Sequence, residues 1–257
     1  MNTMTVQSVD RALSILELLS KYPKGLGLTS ISKELNLAKS TAHRLLSSLL
    51  SRDFVYQSKE DDSYNLSLKI AKLSFGIIEN IDIRKIARPF IEELSAAVNE
   101  VVHLCILDGH EVVYIDKVES DRTLRMYSQI GKRALPHCTG VGKMILSGLS
   151  DSEINNIINI TGLPRFTENT ILSKDTLLKE VELIRSRGYS LDREEHESGI
   201  YCISAPVYDY TGTIIAGFSI SGPTDRITKG INSNHYKELV LETSRIISEL
   251  MGYKKES

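Results

Sequence analysis

Cysteine is scarce, charge of neither sign dominates, and no apolar run is long enough to cross a bilayer. The 257 residues include 3 cysteines, Cys105, Cys138 and Cys202. An odd number without metal-type spacing excludes a disulfide framework using all three and points to a reducing compartment. Lys plus Arg number 31 against 33 Asp plus Glu, a formal net charge of −2. That excludes a histone-like polycation but leaves room for a local basic patch. The longest apolar runs, such as Ile214 to Ile220, fall far short of the roughly 18 residues that span a membrane. The first 19 residues carry Asp10 and Glu17 and no small-residue cleavage site, so they do not read as a signal peptide. Cytoplasmic location without a membrane partner is the expectation. What is present, 41% apolar and 25% charged residues, is the profile of a globular chain of one or two domains.

The first 65 residues read as three helices and a hairpin. Val9, Ala12, Leu13, Leu16 and Leu19 recur at helical spacing, and Pro23, Gly25 and Gly27 end that pattern. A second, short helix is expected from Thr29 as N-cap, burying Ile31 and Leu35. After the turn Asn36-Leu37-Ala38, a full apolar stripe follows at Ala42, Leu45, Leu46, Leu49 and Leu50. Phe54 to Gln57 and Tyr64 to Leu66 look like strands around the polar turn Ser58 to Ser63. From Ser67 to Glu100 the chain reads as a helical connector, with Leu68, Ala71, Phe75 and Ile78 on one face. Asp82 then caps a helix carrying Ile86, Phe90, Leu94 and Val98, which Pro89 should kink or restart. Beyond Val101, strands 101–107 and 112–118, helices 139–149 and 173–188, a hairpin of 203–208 with 214–220, and a last helix from about Ser233 to Met251 are expected. Strands at both ends with helices between them predict an α+β domain with an antiparallel sheet.

Leu28 to Leu50 has helix-turn-helix spacing. No acid occurs between Leu35 and Arg52. The outward positions Lys39, Ser40, Thr41, His43, Arg44, Ser47 and Ser48 supply hydroxyls and cations suited to phosphates and guanine edges. The hairpin would be a wing with Lys59 near its tip. A small helical bundle with a polar surface is the alternative. Thr139-Gly140-Val141-Gly142-Lys143 is not a Walker loop: His137 stands where the first glycine belongs, and Met144 follows the lysine. It is either an anion-binding helix start or a glycine turn that lets a helix pack closely. Cys202 with His103, His137, His196 and Asp192 shows no nucleophile or zinc spacing. No metal or cofactor is expected. The acids Asp192, Glu194, Glu195 and Glu197 read as a solvated loop, from which one could turn inward.

These segments resemble the IclR (isocitrate-lyase-regulator) family of bacterial transcription factors along nearly the whole chain. The resemblance is carried by Leu37 to Leu46, Val113 to Val118, Gly140-Val141-Gly142-Lys143, Arg187-Gly188-Tyr189, Glu194-Glu195-His196, Gly199 to Ile203 and Ser219 to Pro223. It implies a winged helix-turn-helix domain (1–66), a linker helix (67–82) and a GAF-like effector-binding domain (83–257). It also implies dimers, or dimers of dimers, on palindromic operators, with repression as the more common outcome. Effectors in such a family are small carboxylates, among them keto, sugar and aromatic acids, here of carbon catabolism. The family's effector residues fall on Gly140, Val141, Asp192, Cys202, Ser219 and Ser221. Ser219 and Ser221 alternate by two, so their hydroxyls share a sheet face. With the N–H groups of Gly140 and Val141 they would hold a carboxylate without a buried lysine, and Asp192 would accept from a ligand hydroxyl. The competing reading is a small-molecule enzyme of the GAF-like class that does not bind DNA.

Overall fold

In a computed structural model, residues 6–78, 82–122 and 128–254 are described. The chain divides into two compact units, Met1–Ile81 and Asp82–Ser257.

The first unit contains α1 (Gln7–Ser20), α2 (Leu28–Glu34), α3 (Lys39–Ser51), β1 (Val55–Gln57), β2 (Tyr64–Leu66) and α4 (Leu68–Ile78). Ile15 and Leu19 of α1, Ile31 of α2, Leu46 and Leu49 of α3 and the hairpin residues Val55 and Tyr64 form its core. Asn36, at φ 50°, turns the chain between α2 and α3 in the left-handed region that short polar side chains tolerate. β1 and β2 pair antiparallel, Val55 with Leu66 and Gln57 with Tyr64, which gives the wing.

Two expectations change here, and a third falls partly outside the described residues. α2 begins at Leu28 with Gly27 as N-cap, so Thr29 lies inside the helix rather than capping it. Val9 and Leu13 of α1 are each 52% exposed, whereas Ile15 is fully buried. α1 carries two apolar stripes, and periodicity alone cannot say which one meets the core. The side chains of Phe75 and Ile78 lie outside the described residues, while Leu68 is 87% exposed.

The second unit is built on a six-stranded antiparallel sheet in the order β5-β4-β3-β8-β7-β6. Its strands are β3 (Val101–Asp108), β4 (Glu111–Val118), β5 (Arg133–Ala134), β6 (Ser190–Arg193), β7 (Ile200–Tyr208) and β8 (Ile214–Pro223). Its helices are α5 (Ile83–Val98), α6 (Gly140–Leu146), α7 (Asp151–Thr161), α8 (Lys174–Arg187), α9 (Thr224–Asn232) and α10 (His235–Leu250). α5 and α10 pack on each other and reach β3 and β7. α6 lies against β3, β7 and β8 on the face where Gly217 meets Val141. Phe218 and Ile220 alternate away from that face and are fully buried, so the sheet is covered on both sides.

Asp82 caps α5 as expected, accepting from the Arg84 N–H at 3.1 Å. α5 continues through Pro89 without a break, and its buried stripe is Ala87, Ile91, Leu94 and Val98 rather than one through Ile86 and Phe90. The only N–H lost would have served the Lys85 carbonyl, and Lys85 and Pro89 both face solvent. α6 stops at Leu146, three residues short of the expected end. Periodicity did not anticipate α7, α9, β5 or β6 as separate elements. β5 and β6 are 2 and 4 residues long, too short to show a period.

Candidate functional site

On α3, Ala42, Leu46 and Leu49 turn inward, and Lys39, Ser40, His43, Arg44, Ser47 and Ser48 are exposed, with Thr41 half-buried. The Ser47 hydroxyl donates to the His43 carbonyl at 2.9 Å and that of Ser48 to the Arg44 carbonyl at 3.2 Å. Their protons are spent on the helix, so these two serines face outward as acceptors. Lys59 is exposed in the 58–63 turn, which Ser58 closes by donating its N–H to the Ser63 carbonyl at 2.8 Å.

In the second unit, one cavity of about 630 Å³, its mouth included, brings together Gly140, Val141, Asp192, Cys202, Ser219 and Ser221. Three segments supply them. α6 is presented end-on, with Thr139 as N-cap taking the Gly142 N–H at 3.1 Å. That leaves the N–H groups of Gly140 and Val141 as the first-turn donors. β7 and β6 pair Cys202 with Asp192, and β8 carries Ser219 and Ser221.

The glycines also have a packing role. A Cβ on Gly140 would meet Ser204 Oγ at 2.6 Å, and one on Gly142 would meet the Pro136 backbone at 2.5 Å. The close-packing reading of this glycine turn and its donor geometry therefore coexist.

The hydroxyls are wired together. Ser219 Oγ lies 3.2 Å from Ser221 Oγ, Ser221 Oγ lies 3.3 Å from His103 Nδ1, and His103 Nε2 lies 2.7 Å from Ser128 Oγ. His103 is set edge-on to Tyr114, with ring centroids 5.1 Å apart. Burial pushes the His103 pKa down to about 3, and Lys117 adds to that effect, so the ring is neutral with one donor and one acceptor. A proton order running from Ser128 through His103 and Ser221 to Ser219 satisfies every member. In that order the Ser219 hydroxyl is left free to donate into the cavity, whereas the reverse order, which satisfies the same contacts, spends its proton on Ser221.

Asp192 is buried, and burial raises its pKa to about 7. Its Oδ1 accepts the Glu195 N–H at 2.7 Å, which partly offsets the rise, while the Glu195 charge adds to it. An acid whose folded pKa exceeds its unfolded value near 3.8 holds an extra proton in the native state between about pH 4 and 7. Stability from this group is fully present below pH 4, falls as pH rises towards 7, and is level above it. The buried neutral His103 acts in the opposite sense as pH falls below 6.5. The expected result is therefore a difference: from pH 5 to 7.5, the unfolding midpoint of the wild type falls relative to that of Asp192→Asn. Parallel pH profiles for the two proteins would mean that Asp192 titrates at its ordinary value.

The acidic run is not a solvated loop throughout. Asp192 and Glu195 are both buried, and Glu195 ion-pairs with the fully buried Lys143 through both carboxylate oxygens. A buried lysine is thus present after all, but it serves Glu195 rather than the cavity wall. Cys138 Sγ lies 3.5 Å from His196 Nδ1, yet burial pushes the thiol up to about 12, which leaves it a neutral partner and not an activated nucleophile. Among the described residues there is no group of His, Cys, Asp and Glu that could hold a metal ion. No helix there is long and apolar enough to cross a membrane.

The sequence alone did not assign Tyr114, Ser128 or Lys132 to this cavity, and it pointed to His103 and His196 only as metal or nucleophile candidates. The signal for His103 is its place directly opposite Ser219 across the β3–β8 ladder, which is visible only once the register is known.

Comparison with known proteins agrees with both units. Residues 8–59 match the IclR helix-turn-helix domain, and residues 75–249 match the family described as bacterial transcriptional regulator IclR C-terminal. The chain is 38% identical over 249 residues to the HTH-type transcriptional regulator KdgR of Dickeya chrysanthemi, covering 97% of this chain and 81% of that protein. It is 37% identical to the HTH-type transcriptional repressor AllR of Escherichia coli, covering 96% of this chain and 91% of that one. The crystal structure of the repressor BlcR of Agobacterium tumefaciens aligns with a TM-score of 0.75 at 27% identity, covering 98% of this chain and 99% of that one.

Proposed function

The chain belongs to the IclR family of bacterial transcriptional regulators, and from that premise we propose that a small organic acid, seated in the cavity of the second unit, controls its binding to a palindromic operator. Proteins of this family bind DNA and small-molecule effectors; they are not enzymes. In this reading residues 1–66 bind DNA, 67–82 link, and 83–257 sense the effector. Repression is favoured by the two relatives described as repressors.

The convergence of Gly140, Val141, Asp192, Cys202, Ser219 and Ser221 on one cavity carries the proposal. A carboxylate there accepts from the Val141 N–H and the Ser219 hydroxyl, both neutral donors that need no counter-charge. Asp192 and Cys202 form the opposite wall, where Asp192 meets a ligand hydroxyl, which suits a keto or sugar acid. A thermal-shift screen of keto, sugar and aromatic acids tests this directly. Stabilisation by one of them supports the reading, and a screen in which no acid raises the midpoint removes it.

α3 is the reading helix, with Lys39, Ser40, Thr41, His43, Arg44 and Ser47 towards the major groove and Lys59 on the wing. Arg44→Ala is expected to weaken operator binding by about 1–3 kcal/mol. Its unfolding midpoint should stay at the wild-type value because Arg44 is outside the core. Unchanged affinity would take α3 out of this role.

One winged domain contacts too little DNA to select a site, so two are tied in a symmetric dimer, or in a dimer of dimers, on half-sites about 34–36 Å or a multiple apart. Light scattering at micromolar concentration should return at least a dimer, and a monomer contradicts the proposal.

A further inference from the structure

We propose that the Tyr114 phenol is a specificity-determining contact of the cavity, donating to a ligand hydroxyl and so selecting hydroxylated organic acids over unsubstituted, keto or aromatic ones. The inference rests on the reading of that cavity as an acid site. β4 carries Tyr114 opposite Cys105 of β3, and Cys105 in turn lies opposite Gly217 of β8, on the sheet face where Gly217 meets Val141. Backbone bonds hold the residue in place. Its N–H donates to the Lys132 carbonyl at 3.1 Å, and its carbonyl accepts the Gly131 N–H at 2.8 Å. The side chain packs against the cluster of Cys105, Val112, Val141 and Ile145, while His103 meets its ring nearly edge-on, at 80°. Val141 is the residue whose N–H is assigned to the carboxylate, so Tyr114 stands beside that seat.

The apolar body of this side chain is satisfied by packing, and its polar tip is not. Tyr114 lines the cavity, yet its hydroxyl has no hydrogen-bond partner among the described residues. The Tyr236 hydroxyl, in contrast, is spent on the Val98 carbonyl at 3.5 Å. Burial pushes the Tyr114 phenol up, and Cys105, Cys202 and Asp192 add to the rise, so it keeps its proton and is a donor. On the far wall Asp192 Oδ1 is taken by the Glu195 N–H, while Oδ2 lies 4.0 Å from the Cys202 thiol, a weak donor. The cavity thus offers a phenol and a carboxylate oxygen that both need partners from its occupant. A methylene or an aromatic carbon set against them displaces water and strands buried polar groups, which is how a site built for hydroxyls rejects analogues without them. A hydroxyl can accept from Tyr114 and can donate to ionised Asp192. A keto oxygen only accepts, so it serves Tyr114 alone.

The experiment titrates the full chain calorimetrically with two pairs of acids that differ only in their hydroxyls, gluconate with hexanoate and glycerate with propanoate. In at least one pair the wild type should bind the hydroxylated member about tenfold or more tightly than its partner. Tyr114→Phe keeps the ring and its packing and removes only the hydroxyl. It should weaken the hydroxylated member by about tenfold, the worth of one hydrogen bond. Its affinity for the unsubstituted acid and its unfolding midpoint without ligand should stay at the wild-type values. Wild-type affinity of Tyr114→Phe for the hydroxylated member would overturn the inference, and so would an equal loss for both members, which would make Tyr114 a packing residue. Binding of unsubstituted, keto or aromatic acids alone would overturn it as well, while leaving the cavity an acid site. If no acid of any class binds, the acid reading itself falls and this contact with it.

Discussion

Replacing Lys143 with alanine is expected to destabilise the second unit by about 3–5 kcal/mol, the usual consequence of stranding one charge of a buried pair. Lys143 is fully buried in the middle of α6, and its ammonium meets both oxygens of Glu195. Burial pushes the Glu195 carboxyl up, and Lys143 is the largest influence opposing that rise. Without the lysine, Glu195 must take up a proton or draw water into the core. The damage would spread, because the Glu195 segment is also pinned by Thr170, whose hydroxyl donates to the Glu195 carbonyl at 2.7 Å, and by the Glu195 N–H on Asp192. Denaturant titration measures the loss. Lys143→Met with Glu195→Leu removes both charges and should recover much of it, since a well-packed apolar pair often replaces a buried ion pair at little cost. A loss below about 1 kcal/mol for Lys143→Ala, or a double variant no better than the single, would show that the pair contributes little.

The second large effect is on effector binding. Ser219→Ala with Ser221→Ala should weaken binding of whichever acid stabilises the wild type by on the order of a hundredfold. A hydrogen bond to a charged group is worth about 1.5–3 kcal/mol net, and each 1.4 kcal/mol is tenfold. In the proposed binding mode Ser219 supplies the donor directly. In the proton order that runs from Ser128 to Ser219, Ser221 keeps that donor free, and its loss leaves His103 Nδ1 without its partner. Operator binding without effector should survive, because these serines belong to the other unit. Calorimetric titration of both proteins with the same acid decides the matter. A double variant of lower stability but equal affinity would mean that the serines only satisfy one another and His103.

Much of this organisation is legible in the residues themselves. The stripe Ala42, Leu46 and Leu49, the Asn36 turn, the Asp82 cap and the Ser173 to Gly188 helix all follow from local rules, because caps, turns and amphipathic periods are properties of neighbours in the chain. So does the shared face of Ser219 and Ser221, which strand alternation dictates. The family resemblance named six cavity positions because their spacing along the chain is distinctive, not because anything local marks Asp192 or Cys202 as neighbours of Gly140.

Tertiary structure alone decided which charges are buried and what they meet. Lys143 and Glu195 are 52 residues apart, and His103 and Ser221 are 118 apart. Whether a lysine in a glycine-rich helix start faces water or a carboxylate, and whether an acid in a charged run is solvated or raised to about 7, depends on which strand pairs with which. The same holds for α1, whose two apolar stripes look equivalent until Ile15 and Leu19 find the α2, α3 and hairpin residues that cover them. Local pattern fixes what an element can be, since it concerns bonds and contacts within a few residues. Desolvation and charge pairing are set by residues brought together from distant parts of the chain, and those determine the chemistry of the cavity.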